Sequence, residues 1–167
     1  MIFITVGTEK FPFDRLFQAI DEALKNKEVE QDIFVQMGSS NFKPQFFRYK
    51  KYVDFDEMVK LIKKSDIVIS HAGIGSTLLC LSLGKTPILF ARNVAFGEHL
   101  DNHQIDFARK MDTLGKVLVA YTKEELIYKI RYYNKSIAQL KPLFAQKSKD
   151  RLINCLRKIC SQRLKRS

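Results

Sequence analysis

Residues 65–77 read Ser-Asp-Ile-Val-Ile-Ser-His-Ala-Gly-Ile-Gly-Ser-Thr, and no other stretch narrows the possible folds so far. The run from Ile67 to Ile69 has the length and β-branched content of a buried parallel strand. It breaks at His71-Ala72-Gly73, and an apolar helix is expected over 77–83, stopped by Gly84. The order is strand, glycine turn, helix. Gly73 and Gly75 leave no side chain between the backbone and an approaching ligand. The first helical amides, near Gly75, Ser76 and Thr77, lack intrahelical acceptors and lie at the positive end of the helix dipole. An anion such as a diphosphate fits there. A plain tight turn with Ser76 as N-cap would have the same sequence, and the spacing does not choose between the two. The stretch is neither Gly-x-Gly-x-x-Gly nor a P-loop, because no Lys follows the second glycine.

A chain of 167 residues, 46% of them apolar and thirteen of them Phe, can build one domain with a sizeable core. No apolar run approaches the length of a membrane span, and residues 1–3 lead straight into a strand rather than a signal peptide. Three cysteines, with no Cys-x-x-Cys, fit a reducing, cytoplasmic setting. A net charge of +11 calls for an acidic partner: a nucleotide sugar, anionic lipid, nucleic acid or an acidic protein.

Taken in order, the chain predicts a strand over 2–6 that ends at Gly7-Thr8. A helix follows from about Asp14, its expected N-cap, with Leu16, Phe17, Ile20, Ala23 and Leu24 at helical spacing. A second strand covers 32–37, a loop or irregular edge 41–51, a short third strand 53–55 and a helix 56–64. After the central turn come a strand over 87–90, a polar connection over 92–102, a helix over 103–111 and a last strand over 117–120. Thr122-Lys123-Glu124-Glu125 is a capping box opening another helix, and a break falls within 134–142 before a final helix. Strands alternating with helices describe a doubly wound parallel α/β sheet with ligands at the carboxyl ends of its strands.

All three histidines, His71, His99 and His103, fall at strand ends or in the loops after them. No carboxylate or Cys is expected at a spacing that would complete a zinc site, so a polar sugar or phosphate pocket suits them better than a metal. The segment Glu98-His99-Leu100-Asp101-Asn102-His103-Gln104 is dense in hydrogen-bonding groups suited to sugar hydroxyls, although helix capping by Asp101 or Asn102 would use the same residues. The basic, aromatic stretch 42–52 reads as a partner interface or ordinary surface, with base stacking as the other use. Residues 147–167 place Leu152, Leu156, Ile159 and Cys160 on one helical face and carry eight basic residues against Asp150 alone. That pattern suits docking on a membrane-bound partner or anionic lipid, or else packing on its own domain.

Four motifs appear in order: Ile4-Thr5-Val6-Gly7-Thr8, Phe13-Asp14-Arg15-Leu16, Ser70-His71-Ala72-Gly73-Ile74-Gly75-Ser76 and Asp101-Asn102-His103-Gln104. Together they resemble the catalytic subunit of the two-subunit UDP-GlcNAc transferase of the dolichol pathway. They resemble still more the bacterial capsular and exopolysaccharide glycosyltransferase subunits of that kind, because Gly97-Glu98-His99 precedes Asp101. The same set is similar to the donor-binding, C-terminal half of the peptidoglycan GlcNAc transferase, the glycosyltransferase family 28 C-terminal domain. The resemblance covers about residues 1–120.

It implies a Rossmann-like domain over 1–140, the donor half of a GT-B enzyme, followed by a docking helix over 141–167. It also implies a separate membrane-anchored subunit that binds a lipid-linked saccharide acceptor, with this chain peripheral at the inner face of the membrane. By position, Gly73, Gly75 and Ser76 would hold the donor diphosphate beside His71, with Gly7 and Thr8 closing from the first loop. Phe55 and its neighbours would line the uracil site, and His103 and Gln104 would touch the sugar. Relatives often carry a ribose-binding acid where this chain has Leu79, so either Glu98 takes that role or donor affinity is weaker or depends on the partner. Glu9 and His99 are the candidates for the base that inverting hexosyl transfer needs. Neither a cofactor nor a metal is expected. A non-catalytic enhancer subunit and a nucleic-acid-binding module are the alternatives; of these, nucleic acid is not the expected partner.

Overall fold

The computed structural model describes residues 1–140. Expectations for 141–167, the basic amphipathic helix among them, lie outside those residues. Six strands form one parallel sheet: β1 (Ile2–Thr5), β2 (Ile33–Gln36), β3 (Arg48–Lys50), β4 (Ile67–Ser70), β5 (Ile88–Phe90) and β6 (Leu118–Ala120). Their order is β3-β2-β1-β4-β5-β6. The first crossovers run outward to one side, and the chain then returns to the centre and runs to the other. The two directions part between β1 and β4, so a crevice opens above the carboxyl ends of those strands.

Pleating sends alternate residues to opposite faces, and each face has its own core. Ile2, Ile4, Val35, Ile67, Ile69, Ile88, Phe90 and Leu118 pack on α1 (Asp14–Lys25) and on Leu126, Ile127 and Ile130 of α5 (Lys123–Arg131). On the other face, Phe3 and Val68 meet Ile62 of α2 (Phe55–Lys64) and Leu79 and Cys80 of α3 (Ile74–Ser82). Leu89 and Val119 meet Leu81 together with Ala108 and Met111 of α4 (His103–Thr113). A short α6 (Tyr133–Ile137) lays Tyr133 onto the first core, and the Tyr133 hydroxyl donates to Thr86 O at 2.6 Å.

Several elements depart from expectation. The third strand is Arg48–Lys50, not 53–55. Of the two readings of 41–51, loop or irregular edge, the second holds: the stretch supplies the sheet edge, and the Asp21 carboxylate accepts from the amides of Gln45 and Phe46 and fixes the turn before it. All three β3 side chains are exposed, and their charges guard the edge. Phe55 opens α2, whose N-cap Asp54 accepts from the Glu57 amide at 2.7 Å. Asp14 does not cap α1. Phe13 is the cap residue, and the Asp14 carboxylate accepts from the Ser40 hydroxyl. Thr122 does cap α5, while Glu125 reaches back to the Tyr121 amide at 2.7 Å.

Candidate functional site

Helix α3 begins at Ile74, three residues earlier than the sequence suggested, with Gly73 rather than Ser76 as N-cap. Gly75 and Ser76 therefore lie inside its first turn. No side chain caps this end, and Thr77 is the first residue whose amide is taken, by Gly73 O at 3.0 Å. The amides of Ile74, Gly75 and Ser76 thus have no acceptor within the helix, which is the arrangement an anion needs.

The two glycines of the turn are required for different reasons. A Cβ on Gly73 would stand 2.3 Å from His71 Nε2, so the ring forbids any side chain there. A Cβ on Gly75 would meet nothing within 4 Å. Glycine inside a helix weakens it by roughly 0.5–1 kcal/mol relative to alanine, and no neighbour among the described residues demands it at 75. The open space above its Cα is where a ligand would approach.

His71 lies beneath both loops. Its Nδ1 donates to Thr5 O at 3.3 Å, which leaves Nε2 directed at the backbone of Gly7 and Gly73. Burial, then the nearby Arg92 charge, push its pKa down to about 4, so the ring is neutral near pH 7. Gly7 has φ +71, and a Cβ there would lie 2.9 Å from the same ring. Its carbonyl accepts from Gln36 Nε2 at 2.7 Å, and Gln36 Oε1 in turn accepts from the Thr5 hydroxyl. Ala72, with φ 63, is a non-glycine residue in the left-handed region at the turn itself. The Ser76 hydroxyl bridges Gly73 O and Ser70 Oγ, at 3.0 and 2.9 Å.

The second half of the crevice is the connection from β5 to α4. Gln104 is 3% exposed, and its Oε1 has no hydrogen-bond partner. A buried acceptor in that state costs about 1–3 kcal/mol until a donor reaches it. The His99 ring packs on Phe11 of the first loop, with centroids 5.3 Å apart, and edge-on to His103 at 4.7 Å. Asp101 accepts from the His103 amide at 3.1 Å and from the His103 ring. These bonds, the amide first, hold its carboxyl below the usual range. One expectation is corrected here: a carboxylate does stand at ligand spacing. Among the described residues, His99, Asp101 and His103 bring their donor atoms within 4.8 Å of one another. Asp101 is already engaged at the start of α4, so the group has a use as a helix-end brace.

Glu98, a candidate for the ribose, has its carboxylate engaged within the protein. It is 3% exposed and turned inward, with Oε1 accepting from Arg15 Nε and Oε2 from Arg15 Nη2, both at 2.9 Å. Oε2 also accepts from the Asn93 amide. Two parallel bonds to a guanidinium are among the strongest pairings a carboxylate makes. Leu79, at the position where relatives place an acid, is 5% exposed and packed in the core. Phe55 stands half-buried at the start of α2, beyond the carboxyl end of β3. Thr8 and Glu9 are exposed on the first loop, where Glu9 O accepts from the Ser39 hydroxyl.

Sequence reasoning missed Arg15, Gln36 and Arg92. Arg92 stands two residues past the buried strand Ile88–Phe90 and is itself 1% exposed. A charge at the end of an apolar strand was the available signal.

Comparison with known proteins agrees with this geometry. The family model described as Glycosyltransferase family 28 C-terminal domain matches residues 1–157. The UDP-N-acetylglucosamine transferase subunit ALG13 of Homo sapiens is 30% identical over 128 residues, 68% of this chain but 10% of that protein. Its counterpart in Debaryomyces hansenii is 29% identical over 123 residues, 67% of this chain and 55% of the relative. The chain thus spans between a tenth and just over half of these two relatives. Among solved structures, the calicheamicin glycosyltransferase CalG4 superposes with a TM-score of 0.56 at 11% identity, covering 94% of this chain and 38% of its own. MurG of Acinetobacter baumannii gives 0.53 at 17% identity, covering 93% and 49%. At such identities the likeness is one of fold.

Proposed function

Because the chain belongs to the glycosyltransferase family 28 C-terminal domain family, we propose that it binds the UDP-sugar donor of a two-subunit glycosyltransferase. The observation that carries this is Gly75, a helix-weakening residue in the first turn of α3, where no protein atom approaches and three amides are unclaimed. A diphosphate seated there would be bound by the Ile74, Gly75 and Ser76 amides, with no metal needed to offset its charge. Gly7 and Thr8 would close from the first loop, and His71, neutral and buried, would hold the two loops apart at a fixed distance. Phe55 and the start of α2 would border the base. Gln104, with its unpartnered Oε1, and His103 would take sugar hydroxyls. Both curated relatives above are UDP-N-acetylglucosamine transferase subunits, which makes UDP-GlcNAc the donor to test first.

The remainder of the reaction belongs to this proposal too. A membrane-anchored partner would bring a lipid-linked saccharide acceptor to the crevice, for surface polysaccharide assembly. Transfer would invert the donor carbon, with Glu9 or His99 near enough to the first loop to be tried as base. No helix among the described residues is long and apolar enough to cross a membrane, so in this reading attachment comes through the partner. Calorimetry with UDP, UDP-GlcNAc and AMP tests the first step. Tight binding of both uridine nucleotides over AMP supports the reading, and equal or absent binding removes it. Transfer of the sugar by this chain with its partner, lost in Gln104→Ala, would separate a catalytic subunit from an enhancer.

A further inference from the structure

Three segments meet behind the crevice: the first loop before α1, the end of β5, and the loop from Asn93 to Asn102. Two arginines and one carboxylate join them. Arg92 Nη1 donates to Phe11 O, Pro12 O and Glu98 O at 2.7, 3.0 and 3.2 Å, and its Nη2 donates to Val6 O at 3.1 Å. One guanidinium thereby ties the residue before Gly7, the first loop and the sugar-side loop to a common point. Arg15, from α1, clamps the Glu98 carboxylate on two bonds and donates to Ala91 O at 3.0 Å. Its guanidinium is held among the rings of Phe13, Phe90 and Phe96, with Phe90 closest at 4.4 Å. Arg15 and Glu98 spend their charged groups on each other, so in this reading their effect passes through the loop they anchor.

We propose that the Arg15–Glu98 pair is a positioning interlock: it fixes the loop that carries His99 and leads into His103 and Gln104 at the start of α4, at a set distance from the glycine turn, and so decides whether the site prefers a nucleotide sugar to the bare nucleotide. This rests on the donor-binding reading above. The physical reason is reach. The diphosphate is bound by backbone of α3, which the interlock does not touch. The sugar must span from there to Gln104 in the first turn of α4, and the loop that leads into that turn has no strand or helix of its own between Gly97 and His103. A loop left to wander would keep the phosphate contacts and lose the sugar contacts. The bidentate geometry matters, because a single bond would let Glu98 pivot, whereas a planar guanidinium fixes both position and rotation.

The test uses the full chain and three variants: Glu98→Gln, Arg15→Met and the double. UDP and UDP-GlcNAc are titrated calorimetrically, and hydrogen exchange is followed at the amides of 93–101. The interlock predicts UDP affinity within about twofold of wild type in every variant, while the preference for UDP-GlcNAc falls roughly tenfold, about the worth of one hydrogen bond to the sugar. The loss should be the same in the double as in either single, since a pair acting as a unit fails once. Exchange should quicken at 93–101 and not in β1 or β4. The double variant leaves no unpaired buried charge, so it remains informative should a single variant fold poorly. A preference that stays intact in folded variants overturns the interlock, as do losses for UDP and UDP-GlcNAc that run in parallel with a falling melting temperature. Wild-type protein that binds neither nucleotide removes the donor-binding reading instead, and the interlock as a selectivity device goes with it. Unchanged exchange at 93–101 would sink the anchoring claim by itself.

Discussion

The two sides of the crevice are built by different means. The side proposed for the phosphates is backbone: two glycines, a helix start and three free amides, all within residues 73–76. The side proposed for the sugar is side chain, and its position is set by partners far away in sequence. Arg15 lies 83 residues from Glu98, and Arg92 reaches back 86 residues to Val6. A local backbone site survives as long as its helix does. A site held by long-range charged bonds fails when any one anchor is removed.

That difference can be broken experimentally, and the largest effect is expected at Arg92. Arg92→Met would strip donors from four carbonyls in a buried setting. At about 1–3 kcal/mol for each acceptor left dry, and with water regaining some, a loss of about 3 kcal/mol or more is expected in urea unfolding. A variant that unfolds like wild type would show that the loops hold themselves.

His71 supplies the next effect. Its pKa falls from the ordinary 6.5 to about 4 on folding, so between these values the unfolded chain binds the extra proton. Stability conferred by the neutral ring is complete above pH 6.5 and is lost as pH drops through 4. The whole change is at most about 3 kcal/mol. Urea midpoints measured from pH 7 to 4 should slope downward, and His71→Asn should flatten that slope. Equal slopes would mean that other groups cause it.

Gln104→Ala is the smallest change and addresses the sugar side directly. One neutral hydrogen bond is worth about 0.5–1.5 kcal/mol, so UDP-GlcNAc binding should weaken by roughly tenfold or less while UDP binds as before. Removing an acceptor that has no partner in the free protein should also leave stability unchanged or slightly raised. Equal weakening for both nucleotides would make Gln104 a structural residue.

The same contrast explains what could be read from the sequence. Strand, glycine turn and helix were legible at 65–77 because each signal is local: β-branched residues, then glycine, then an apolar helical run. The helix start was misplaced, since Ile74-Gly75-Ser76 has no capping side chain and the cap is a backbone position, Gly73. The edge strand was missed for a related reason. Arg48–Lys50 is exposed and charged, with no period-two signal, and is placed by the Asp21 carboxylate of a distant helix. Glu98 was a candidate for the ribose because Leu79 stands where relatives often carry an acid. Its partner in the structure, Arg15, is the second residue of α1, and nothing within ten residues of Glu98 announces that pairing.

The most direct test of the account is UDP binding to Gly75→Val, measured by calorimetry beside its unfolding curve. A Cβ at 75 meets no protein atom within 4 Å, so the folded state should tolerate the change, with stability within about 1 kcal/mol of wild type. The branched side chain would occupy the space above the free amides, and UDP binding should disappear. A folded variant that binds UDP as wild type does would contradict the claim that this turn holds the diphosphate.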